Sequence, residues 1–510
     1  MVASRSVLWL AVALIAWEAL DRALHDSVLV AGPIAILGHL MDNAGLLARA
    51  TAETARNAVL GFLWGNLAAA ALAALVVVVP RLERVVSALA LLLFSLPLIA
   101  TGPILRVLFG PGNGPQVTLA ALAVYYTTFL ALLVGLRAVS QSWTDLMAIY
   151  GRGRWSTLLR IRARASLPYL VIGLQIAAPA AFLGAMIGEF TGAERGLGVL
   201  TLRAMRGLET EATWALAVLS AGTAMAAYGA IGWLGGRALG YVPVILLSAS
   251  RPRASRSFAA RLIEAAGIAL LVVALWQVAM DAFDLNRFFA KRPGDVLTFL
   301  ATPANRQTLL AALGETIAFT IPGYVAGLVM GAGLAALLVL SPPLERATMP
   351  IAVALRAVPI IATAPLLVLA FGRGFTGTMV IVAVMIFFPT LVACLQGLRQ
   401  APGQIVDLFG LYSASRWHLL RSVRIPAMLP AFFASARMAV PAALLAVTTA
   451  EWLATGRGIG VLMAMTASTS DYNMLWSCVA ALGLVAAAFF AAVALVERAV
   501  LARYAPEQLA

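Results

Sequence analysis

Few residues in this chain have the chemistry to act on a solute, and those few sit in or beside long apolar runs. Glu189 and Glu451 each stand seven residues before a Gly-x-Gly pair, Gly196 and Gly198 in one case and Gly458 and Gly460 in the other. A carboxylate at the end of a membrane-length apolar run is costly without a partner, so it invites a functional reading. A local alternative is an ion pair at the interface with Arg195 or Arg457. Arg437 poses a similar question inside another run. It either faces a polar pathway or snorkels toward the surface, and the sequence leaves both open. Pro97, Pro103, Pro359 and Pro365 also lie in apolar runs. Proline bends or breaks a helix and frees carbonyls that only protein or water can satisfy, which favours these segments as pathway walls.

Other chemistries find no residues to carry them. The three histidines are scattered and no carboxylates cluster, so neither a catalytic nor a metal site is expected. There is no G-x-x-x-x-G-K-[ST] phosphate loop, and Lys291, the single lysine, does not follow one. No nucleotide cofactor is therefore expected in this chain. Its Gly-x-Gly pairs lack the strand–helix setting of a dinucleotide site and read as turns. Cys394 and Cys478 lie inside apolar runs and make no disulfide or zinc pattern.

These residues recur because the chain is one unit written twice. Asp145 matches Asp407, 262 residues on (407 − 145), and the same offset carries Glu189 onto Glu451 and Pro97 onto Pro359. It also relates two arginine-rich inserts without a gap, 141–168 and 403–430. Trp155 matches Trp417, Ser156 matches His418, Gly151 matches Ser413 and Pro168 matches Pro430. Each insert reads as an amphipathic helix. Resting on anionic lipid, with the tryptophan as anchor, would suit one such helix. A near-copy in each half points instead to a two-fold docking surface for a two-fold partner.

The elements that must position these residues are membrane helices. Hydrophobic residues make up 62% of the 510 and charged residues 11%. Runs of about 20 apolar residues, each long enough to cross the bilayer, recur without the alternation of barrel strands. They predict an all-α polytopic membrane protein of about twelve spans, near 7–24, 55–79, 85–108, 116–136, 169–190 and 212–235, and again near 262–281, 316–340, 348–371, 377–396, 428–452 and 475–497. The basic linker 249–261 divides repeat 1–248 from repeat 262–510. The net charge of +14 does not indicate nucleic acid, because the arginines sit in short loops. All the basic loops fall on the cytoplasmic side if the first helix runs outward from a cytoplasmic N-terminus.

The inserts resemble those of the inner-membrane permeases of binding-protein-dependent ABC importers. That signature is an acid, a glycine six residues on, then an apolar-basic helix ending in prolines. Here it reads Asp145, Gly151 and Pro168, and then Asp407, Ser413, Pro426 and Pro430. The departures are Asp for the usual Glu, Ser413 for the glycine, and Arg164 where the second copy has Pro426. LRAVPIIATAPLLVLAFG (355–372) and AEWLATGRGIGVL (450–462) look like the nitrate, sulfonate and taurine branch. The resemblance implies a type I importer fold with two permease units fused. It implies that the inserts couple the chain to two cytoplasmic ATP-binding subunits, which hold ATP and Mg and hydrolyse it. It further implies an extracytoplasmic solute-binding protein, a bacterial inner-membrane location and a small anion as solute. Two rivals remain: a secondary transporter driven by an ion gradient, which should show mid-span carboxylates for coupling, and a non-transporting membrane scaffold.

Overall fold

A computed structural model describes residues 2–23, 30–95, 98–110, 112–139, 141–207, 209–239, 258–341, 343–345, 348, 367, 371–372 and 374–504. The secondary structure among them is helical. The first half holds α1 (Val2–Ala23), α2 (Pro33–Asp42), α3 (Ala44–Val78), α4 (Glu83–Ser95), α5 (Leu98–Phe109), α6 (Gly114–Arg137), α7 (Gln141–Ile149), α8 (Arg154–Thr157), α9 (Ala163–Phe190), α10 (Leu197–Arg206) and α11 (Thr210–Leu239). The second holds α12 (Phe258–Ala282), α13 (Pro293–Ala301), α14 (Pro303–Leu340), α15 (Phe375–Arg399), α16 (Gly403–Leu411), α17 (Arg416–Leu419), α18 (Ile425–Ala450), α19 (Ile459–Ser468) and α20 (Tyr472–Tyr504).

Eight of these helical segments are long and apolar enough to cross a membrane. They account for the second, fourth, fifth and sixth expected spans of each half. The first and seventh expected spans correspond to α1 and α12, and α4 with α5 occupies the third. Most of the ninth lies outside the described residues. Residues 30–50, between the first two expected spans, hold α2 and the start of α3. That helix begins well before the apolar run because Ala44–Thr54 continues its inward face through Leu47, Ala50 and Thr54.

Small residues let the spans approach closely. A Cβ on Gly61 or Gly65 of α3 would fall 2.6 Å from a carbonyl oxygen of α6. Gly323 and Gly327, their equivalents in α14, press on α15 in the same way. Backbone-to-backbone contact of this kind is how helices associate in lipid, where apolar burial gives little drive. The halves share a core in which Leu119, Ile187 and Phe190 cluster with Tyr324, Ile381 and Val440. Along this seam α18 and α20 of the second half meet α4 of the first.

Candidate functional site

Both inserts are built as helix, turn and helix, not as the single amphipathic helix expected. In the first, α7 ends at a turn where Gly151 has φ +66°, and a second helix then starts at Arg154. In the second, α16 ends at a turn where Ser413 takes φ +50°, and the helix resumes at Arg416. This explains the family glycine: the turn needs a left-handed residue, and a serine there carries strain. After the turn each helix passes through one π turn, Leu158–Arg162 or Leu420–Arg424, and runs on into the membrane. Pro168 and Pro430 lie inside the continuing helices, and Pro426 lies in the first turn of α18. The prolines therefore do not end the inserts.

Arg154–Phe190 is one helical rod of 37 residues, and Arg416–Ala450 one of 35. At 1.5 Å per residue each is over 50 Å long, against about 30 Å of hydrocarbon. The insert is thus the projecting end of a membrane-crossing rod. Both rods are anchored alike. Arg154 donates to the Val78 carbonyl at the end of α3, and Arg416 to the Leu340 carbonyl at the end of α14. A cation at a helix C-terminus also meets the negative end of its dipole. Nearby, Glu83 pairs with Arg137 and Glu345 with Arg399.

What projects from the inserts is apolar. Ile149 and Leu411 are 81% and 83% exposed, and Tyr150, Tyr412, Trp155 and Trp417 are exposed beside them. Asp145 and Asp407 are exposed on α7 and α16. His418 is exposed and stacks on Phe409 with ring centroids 5.6 Å apart. Ser156, the counterpart of His418, keeps its hydroxyl buried instead. The apolar pairs Ile149–Tyr150 and Leu411–Tyr412 were not singled out from sequence as the tips. Their signal was present, since exposed apolar pairs beside a turn are rarely structural.

At the far ends of the rods the two glutamates are fully buried, and they do not pair with Arg195 or Arg457, which are exposed. Glu189 accepts a hydrogen bond from the Thr54 hydroxyl at 2.7 Å and another from the Gly198 N–H at 2.7 Å. Thr54 in turn accepts from the Leu197 N–H at 2.8 Å. Glu451 accepts from Thr316 at 2.7 Å and from the Gly460 N–H at 2.8 Å, and Thr316 accepts from the Ile459 N–H at 2.9 Å. Each acid thus clasps the N-terminus of a short outer helix, α10 or α19, and ties it to α3 or α14. Orphan N–H groups and a positive dipole end supply the charge complement that arginine was expected to give. In the second clasp, the Gly458 N–H also donates to Glu315.

The remaining candidates separate. Arg437, half-buried, pairs with Glu497 of α20 at 3.0 Å. The equivalent first-half positions, Gln175 and Gly235, hold no ions. Pro103 lies half-buried within α5. Pro97, Pro359 and Pro365 lie outside the described residues, so the paired proline walls are not tested. No group of three or more metal-ligating side chains occurs among the described residues.

Two similar bundles, each with a membrane-crossing rod that projects at one end and is clasped at the other, define a polytopic transport subunit. Residues 62–279 and 323–505 both match the family described as binding-protein-dependent transport system inner membrane component, and the chain belongs to that family. It is 33% identical over 203 residues to a probable ABC transporter permease protein of Haemophilus influenzae, covering 40% of this chain and 82% of that protein. It is 30% identical over 155 residues to the riboflavin transport system permease protein RibX of Chloroflexus aurantiacus, covering 30% of this chain and 58% of that one. It is 27% identical over 201 residues to the taurine transport system permease protein TauC of Escherichia coli, covering 38% and 73%. The chain is the multi-pass, inner-membrane permease component of an ATP-driven importer. Such components work with ATP-binding subunits and a solute-binding protein. The ion-gradient and scaffold readings are set aside.

Proposed function

We propose that this single chain supplies both halves of the translocation pathway, residues 1–248 and 262–510, joined by a cytoplasmic linker at 249–261. Inserts 141–168 and 403–430 dock two cytoplasmic ATP-binding subunits, one each. Those subunits hold ATP and Mg and carry out hydrolysis. A solute-binding protein delivers the solute to the opposite face, and the N-terminus lies in the cytoplasm. The observation that carries this reading is the paired rod. A push on an insert moves a helix that ends at a clasped outer helix, so closure of the ATPases would be felt at the outer face. The solute is a small sulfonate-, taurine- or nitrate-like anion. The likeness to a taurine permease supports that class.

The test is reconstitution. The purified chain should have no ATPase activity, and adding its ATP-binding partner should give vanadate-sensitive hydrolysis stimulated by loaded binding protein. Uptake by the chain alone, driven by an ion gradient, would sink the proposal.

A further inference from the structure

Behind the first insert lies a cavity of about 310 Å³. Arg137, Arg152, Arg154 and Arg162 line it, together with Thr144 and Thr157. Glu83 is the acid among them and is already paired with Arg137. By formal charge the lining holds four guanidinium groups and one carboxylate. Its apolar wall is the end of α3, Val76 and Val77, with Pro80 beyond. It therefore sits where a membrane span meets the aqueous phase.

The internal repeat separates what this region needs for folding from what has been added. Glu83, Arg137, Arg154 and Arg162 recur as Glu345, Arg399, Arg416 and Arg424. That shared set forms the ion pair and the helix-end anchor seen in both halves. Thr144, Arg152 and Thr157 do not recur. The second half has Val406, Ala414 and Leu419 at those places and builds the same helix–turn–helix without them. Folding of the insert thus does not require the extra cation and the two hydroxyls.

We propose that this cavity binds a phosphate-bearing anion, and that it places the first insert, unlike the second, under the control of that ligand. Guanidinium groups hold phosphate oxygens with paired, charge-assisted hydrogen bonds; the Thr157 hydroxyl already donates to the Gly153 carbonyl, so the cations carry the binding. The ligand is either free phosphate or the headgroup of an anionic phospholipid, which lies at the same depth. Bound there, it bridges the rod's anchor at Arg154 to the turn at Arg152 and limits movement of the insert.

The test uses the full chain in phosphatidylcholine nanodiscs with Ala148→Cys as reporter. Residue 148 lines the cavity and is exposed, whereas Cys394 and Cys478 are buried. Inorganic phosphate, or phosphatidylglycerol replacing part of the phosphatidylcholine, should slow maleimide labelling about tenfold. Chloride at equal ionic strength should not. Slowing by phosphate alone identifies a free anion as ligand, and slowing by phosphatidylglycerol identifies the headgroup. The triple variant Thr144→Val, Arg152→Ala, Thr157→Leu carries the residues of the second insert and should lose the protection. The reverse transplant, Val406→Thr, Ala414→Arg, Leu419→Thr, should confer protection on Gly410→Cys, a gain that misfolding cannot imitate. The proposal is overturned if neither probe protects, if protection survives the triple variant, if the transplant gains none, or if only an added ATP-binding subunit protects.

Discussion

Replacing Gly458 by alanine tests the outer clasp at its tightest point. Gly458 has φ 93° and ψ −179°, a backbone region open almost only to glycine. A Cβ there would fall 2.2 Å from Oε1 of Glu451, whose side chain is fully buried. Two costs follow. Holding alanine in that conformation costs about 1–3 kcal/mol. Moving the carboxyl group aside breaks its hydrogen bonds to Thr316 and Gly460, at about 0.5–1.5 kcal/mol each. A chain that keeps the local structure therefore loses roughly 2–6 kcal/mol, a large part of ordinary protein stability. The alternative is that α19 releases from the clasp. Gly456→Ala is the matched control, for its φ is +72° but nothing lies within 4 Å of its Cβ. It should cost about 1–2 kcal/mol, the strain alone. Thermal unfolding of the purified chain in detergent measures both. Impermeant thiol labelling at Thr466→Cys, which is buried in α19 while the clasp holds, reports release. Equal stability and equal labelling of the two alanine variants would refute the clasp.

Three further outcomes are expected. Tyr150→Cys and Tyr412→Cys, at the two projecting tips, should each cross-link to an ATP-binding subunit, and Asp145→Lys or Asp407→Lys should uncouple hydrolysis from uptake; full uptake with both acids reversed would remove them from the contact. Arg437→Gln should destabilise the chain by about 1–3 kcal/mol by removing one partner of the half-buried Glu497, whereas Arg437→Met with Glu497→Leu should restore most of it; equal losses in thermal unfolding would mean the two charges do not act as a pair. Ser255→Cys in the linker should resist impermeant thiol reagents applied to intact cells, and labelling from outside would reverse the topology.

The helical framework was legible because lipid imposes a simple rule on length and hydropathy, and because the 262-residue offset shows the same rule obeyed twice. The inserts were legible as paired objects for the same reason. Their internal shape was not. Periodicity over 149–161 suits one helix, but Gly151 adopts positive φ and turns the chain within that window, as Ser413 does in the second copy. The clasps were misread for a different reason. Arg195 and Arg457 are the nearest opposite charges in sequence, so local pairing looked sufficient. The actual partners include Thr54 and Thr316, each 135 residues from its acid, and backbone N–H groups that composition cannot display. The offset held a clue, since both threonines lie in the same place in matched spans.

The features that do not repeat bear on why the halves are fused. In a pair of identical subunits every side chain facing the seam appears twice. Here Arg437 and Glu497 form one ion pair, and the matched positions hold Gln175 and Gly235. That difference is built into the packing. A Cβ on Gly235 would meet Val171 Cγ1 at 2.2 Å, so α11 lies too close to α9 to admit an acid there. Gln175 is likewise packed against the backbone of α11 at Gly232. The first half has used the space to bring two helices together, and the second has used it to hold two charges beside the seam. A symmetric version would need either two buried ion pairs, each with its own desolvation cost, or none. Fusion permits a single ion pair beside the seam.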